Sequence, residues 1–152
     1  LALSLELLTQ RHFIECFSEE EKDLDPVFVK IFRLHWIEEV QHTRVDILEL
    51  RELADQMSET DLLDSVQEFF QLLDYLKEQI CQQNVLDVES LEQLLGCNFD
   101  EGQRRELLGA LDREFIWTFI LSGLNHQGFR LIYGRLLPDT AMKLDQLISR
   151  IQ

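Results

Sequence analysis

A chain of 152 residues, 45% of them apolar, is sized for one domain with a proper core, and six glycines with two prolines favour long helices on short connections. Lys and Arg number 14 against 29 Asp and Glu, a net charge of -15. That charge repels phosphates, which argues against nucleic acid and anionic membranes, and it leaves room for some acids to be cation ligands rather than solvated surface.

The first predicted helix runs from about Ala2 to Phe17, and the charged stretch Ser18 to Asp25 reads as a loop. Asp25 caps a second helix with Pro26 in its first turn, and that helix continues to about Gln56. Ser58 with Asp61 resembles a capping box and opens a third helix that ends near Gln82. Its Leu62, Val66, Phe69, Leu73, Leu76 and Ile80 form one amphipathic stripe, a packing face. Asn84 to Asp87 reads as a turn, followed by a short helix, Val88 to Leu95, that stops at Gly96. Asp100 with Gln103 caps a long helix reaching Leu136. Pro138 and Asp139 break it, and Thr140 to Ile151 form the last helix. No period-two pattern appears, so the fold class is all-α, a single helical bundle over residues 1–152. Leu1 stands where a start methionine would, which is compatible with residues upstream.

Cys16, Cys81 and Cys97 are odd in number and contain no Cys-x-x-Cys pair, so neither a disulfide framework nor a zinc-thiolate site is expected. Buried free thiols in a reducing, cytoplasmic setting are the expectation. The longest apolar stretch, Phe115 to Leu124, is interrupted by Thr118, Ser122 and Gly123, so no membrane span is expected.

The second helix carries the most chemistry. At about 100° per residue, His35, Glu39 and His42 fall within roughly 60° of one another, and Asp46 and Glu49 extend the line. Arg33, Arg44 and Arg51 make the opposite, solvent side. Phe28, Ile31 and Phe32 precede the polar stripe, and Leu50 and Leu53 follow it, which places it inside the bundle. Ionised carboxylates there cost several kcal/mol each unless paired or bound to a cation. Glu6 lies on the face of Ala2, Leu3, Phe13 and Phe17, with Ser4, Arg11, His12 and Glu15 opposite. Glu114 shares a face with Leu107, Ala110, Leu111, Leu121 and Ile132, while Asp112 points away. Asp145 sits at the edge of the last helix's apolar face, and His126 reads as a surface or half-buried residue. Convergence of these groups points to a metal site, with a buried salt-bridge network or a solvated groove as the alternatives.

Glu6, the Glu39-x-x-His42 pair and Glu114 together resemble the signature of the ferritin-like di-iron carboxylate family: Glu, then Glu-x-x-His, then both again. Asp145 would stand for the fourth carboxylate, but Ile148 replaces its histidine. His35 with Trp36, before Glu39 and His42, is similar to the N-oxygenase branch. The resemblance implies a ferritin-like bundle, with an extra helical insertion between its second and third helices. It further implies a non-haem oxygenase or oxidase using one or two iron ions, with manganese as the other candidate. Its partners would be dioxygen and a small-molecule substrate, and homo-oligomerisation is compatible with a bundle this size. Glu6, Glu39, His42 and Glu114 would be ligands and His35 a further ligand or a support. Asp46 would orient an imidazole. Trp36 and Tyr133 read as core aromatics or pocket walls. The rival is a non-enzymatic helical interaction module with a decayed metal site.

Overall fold

The computed structural model describes residues 1–16, 24–137 and 141–151. The expectations for Phe17, for Ser18 to Asp23 and for Pro138 to Thr140 lie outside the described residues. Every element among those described is helical. They are α1 (Ala2–Cys16), α2 (Pro26–Gln56), α3 (Glu59–Leu95), α4 (Glu101–Ile116), a π-helical turn (Trp117–Leu121), the short α5 (Ser122–Leu124), α6 (Gln127–Leu136) and α7 (Ala141–Ile151).

Local chemistry sets most of the boundaries. The Asp25 carboxylate accepts from the Val27 and Phe28 amides at 2.8 and 3.3 Å, and Pro26 fills a first-turn position whose missing N–H costs nothing. Ser58 Oγ accepts from the Asp61 amide and opens α3. Asp100 and Gln103 cap each other reciprocally at the start of α4. Gly96, at φ 63°, ends α3 in a Schellman arrangement, its amide bonded to Gln93 O and the Cys97 amide to Glu92 O.

Two boundaries differ from expectation. The turn at Asn84 to Asp87 is absent, and α3 is one helix of 37 residues. Asn84 is fully buried and donates its amide to Asp112 Oδ1 at 2.7 Å, and Val88 is 1% exposed. Packing on α4 therefore overrides the turn preference of Asn and Asp. The expected continuous helix from Asp100 to Leu136 is interrupted by the π turn, and it stops at Leu124. His126 then restarts the chain as α6, its Nδ1 accepting from the Gly128 amide at 3.1 Å. Gly123 makes this junction tight: a Cβ there would lie 2.0 Å from the carbonyl oxygen of Ser4. Ser4, expected on the wet face of α1, is consequently buried.

The core gathers Leu3 and Leu7 of α1, Leu73 of α3, Ile120 and Leu121 of the π turn, Leu124 of α5, Ile132 of α6 and Leu144, Leu147 and Ile151 of α7. The apolar stripe of α3 packs against it as expected. Helix α2 is different. It packs mainly on α1 and makes a smaller contact with α6. Its flanks therefore stay open, leaving Val27, Ile31, Leu34, Val45 and Leu48 more than half exposed.

Candidate metal centre

The α1–α2 seam brings Glu6 of α1 beside Glu39 and His42 of α2. One ligand atom from each lies within 4.8 Å of the others. His42 Nδ1 stands 3.2 Å from Glu39 Oε2 and 3.6 Å from Glu6 Oε2. The first distance is a weak hydrogen bond; the second is too long for one. Glu6 Oε2 is buried and has no hydrogen-bond partner. From the other side His35 Nδ1 approaches Glu39 Oε1 at 3.2 Å. Glu39 thus sits between two imidazoles one turn before and after it, as positions i−4 and i+3 of a helix dictate.

The seam is anchored by two further residues, Gln10 and Thr43, neither of which is a metal-ligand type. Thr43 Oγ1 donates to the Glu39 carbonyl at 2.9 Å, and Gln10 Nε2 reaches across from α1 to the same hydroxyl and carbonyl, at 2.5 and 3.3 Å. Each lies four residues after a carboxylate, Gln10 after Glu6 and Thr43 after Glu39, so each is the next residue on that helix face. That spacing was the available signal. On the N-terminal side Trp36 stacks on Phe13, with centroids 5.2 Å apart and planes at 15°.

The expectation that the whole polar stripe is inside needs correction. Side-chain exposure is 12% for Glu39 and 22% for Glu6, but 50% for His42 and 51% for His35. Because α2 packs mainly on α1 among the described elements, its stripe straddles the seam: Glu39 and Thr43 face α1, whereas the histidines and Glu49 reach solvent. Arg33, Arg44 and Arg51 are exposed, as expected. Asp46 is half-buried, but it orients no imidazole; its Oδ2 is buried without a hydrogen-bond partner.

Glu114 does not join the group. It is exposed, because α4 packs on α3 along the line of Asp112 and Ile116, and Glu114 lies about 200° round from either. Of the residues that give it an inward face by sequence, Leu121 and Ile132 lie in or beyond the π turn, where the helical phase is lost, and Leu107, Ala110 and Leu111 of α4 are only half-buried. Asp112, expected to point away, is the acid that turns in, toward Asn84 and Cys81. Asp145 is exposed and ion-paired with Arg130, tying α7 to α6. His126 is half-buried as a helix cap, and burial with the nearby Arg11 lowers its pKa.

Two carboxylates and an imidazole suit a hard or borderline divalent cation, and the unmatched Glu6 oxygen is the atom such an ion would satisfy. The half-exposed His42 leaves one side of the group open to water. No protein-family model, curated protein or solved structure matches the chain. No described helix is long and apolar enough to cross a membrane.

Proposed function

We propose that Glu6, Glu39 and His42 are the protein ligands of one divalent cation, iron first and manganese second, in a cytoplasmic metal-dependent oxidoreductase acting with dioxygen on a small molecule. The observation that carries the reading is Glu6 Oε2, buried without a hydrogen-bond partner and 3.6 Å from the His42 nitrogen that also meets Glu39. Two like charges held this close in a partly desolvated seam repel unless a positive charge lies between them. Carboxylate-rich ligation with one imidazole favours iron or manganese over zinc or copper.

The resemblance to the ferritin-like di-iron family now rests on Glu6, Glu39 and His42, with neither Glu114 nor Asp145 beside them. One ion is accordingly the better reading than two. When bound, such an ion supplies one-electron redox chemistry toward dioxygen. The chain's own contribution is positional. Gln10 and Thr43 fix the backbone at Glu39, His35 holds the second Glu39 oxygen, and the stacked Phe13 and Trp36 cover one end of the group.

Titration of the protein with Fe(II) under anaerobic conditions tests this. One equivalent should bind and raise the melting temperature, by a free energy of about 2.7 kcal/mol at a hundredfold excess over Kd. Glu39→Gln and His42→Ala should abolish the effect, and Glu15→Ala should leave it intact. Melting unmoved by Fe(II) and Mn(II) would sink the metal reading. It would favour the second one, an interaction module, for which the exposed Val27, Ile31 and Leu34 on α2 are the supporting observation.

A further inference from the structure

Beyond the carboxylate–imidazole group, the same seam ends in an apolar cavity of about 300 Å³, partly open to solvent. Four helices converge on it. Leu3 comes from α1, Leu50 and Ala54 from α2, Val66 from α3, and Phe129 and Ile132 from α6. Among the described residues no charged side chain lines it, and the hydroxyls in its wall are those of Ser65 and Tyr133. Leu50 and Leu53, 36% and 57% exposed, stand at the mouth.

Protein interiors rarely leave voids larger than a water molecule, so a space this size between helices is informative. Apolar cavities of about 150 Å³ stay dry and take up benzene; twice that volume fits about 12 non-hydrogen atoms. The walls select against charge. An ion placed there would lose its hydration with no charged side chain among the described lining residues to meet it, the Leu1 α-amino group already interacting with Asp46, and the chain's net charge of -15 repels anions before they arrive. Walls from four helices make a concave pocket, which suits a compact molecule better than the flank of another protein.

We propose that this cavity between α1, α2, α3 and α6 is a binding site for a small, neutral, apolar molecule such as a medium-chain alcohol or a substituted benzene. The site rests on the lining alone and holds whether or not Glu6, Glu39 and His42 take a metal.

Calorimetric titration of the full chain with 1-octanol, and with octanoate as the charged counterpart, tests it. Octanol should bind saturably at one site, with octanoate weaker by about tenfold or more. Ala54→Phe fills the space from α2 and should weaken octanol binding by about tenfold or more. Ser65→Phe narrows the cavity from an exposed position on α3 and serves the same purpose if Ala54→Phe does not fold. Circular dichroism establishes that each variant is folded. The proposal is overturned by absence of saturable binding up to the solubility of octanol, or by octanoate binding as tightly. Octanol binding unchanged in a folded variant overturns it too. So does self-association of the wild-type chain that Ala54→Phe abolishes, which would make the cavity an interface between copies.

Discussion

Gly123→Ala should loosen the helix that carries Glu6. The new Cβ would sit 2.0 Å from Ser4 O and 2.9 Å from Ser4 C, where ordinary contact begins at 3.4 Å. The obstacle is helical backbone, which cannot swing aside like a side chain, so α1 and α5 must separate by roughly the 1.4 Å difference (3.4 minus 2.0). Leu3 and Leu7 pack there at 3% and 2% exposure. Burying two such side chains is worth about 3–6 kcal/mol, and gaps of about an ångström forfeit a quarter to a half of packing attraction. The expected loss is therefore about 1–3 kcal/mol, the range typical of overpacking. Urea unfolding followed by circular dichroism should show the midpoint falling by about 1 M. Gly134→Ala provides the contrast: its Cβ meets nothing within 4 Å, so in the last turn of α6 it should gain up to about 0.5–1 kcal/mol. A Gly123→Ala protein as stable as the wild type would refute the close approach of α1 and α5, and with it the placement of Glu6.

Asn84→Leu removes the buried donor to Asp112 and should cost about 1–3 kcal/mol in urea unfolding, part of which returns in the Asn84→Leu, Asp112→Leu double variant. Burial and Arg11 hold the His126 pKa below its unfolded value of 6.5. The unfolded chain therefore binds the proton first, and stability should fall as pH drops from about 6.5 toward the folded pKa; His126→Asn, which keeps a capping side chain, should flatten that slope. Burial and the adjacent Asp112 raise the Cys81 thiol pKa, so at pH 8 a disulfide reagent should modify exposed Cys97 well before Cys81.

The features legible in the sequence were those that residues close in the chain determine. Asp25 with Pro26, Asp100 with Gln103, and Gly96 each act within one helical turn, the first two opening an element where expected and the last closing one. The Glu6–Glu39–His42 group was legible too, because α1 and α2 are consecutive and pack side by side, leaving only the facing sides to be found. What failed depended on distant contacts. Asn84 reads as a turn former until Asp112 is known to stand opposite it. The π turn carries no proline or glycine to announce it, so the sequence reads as a straight helix to Leu136, and the half-buried Leu107, Ala110 and Leu111 make Glu114 look inward although α4 packs on α3 along Asp112. His35 and His42 look deeper in the sequence than they are, because the apolar Leu34 and Val45 beside them on α2 are themselves exposed.

X-ray absorption at the iron edge, on protein loaded anaerobically with one equivalent of Fe(II), addresses the centre most directly. An oxygen-rich shell is expected, with imidazole scattering from His42 that disappears in His42→Ala. Iron surrounded by oxygen alone in the wild-type protein, with a spectrum unchanged by that substitution, would contradict it.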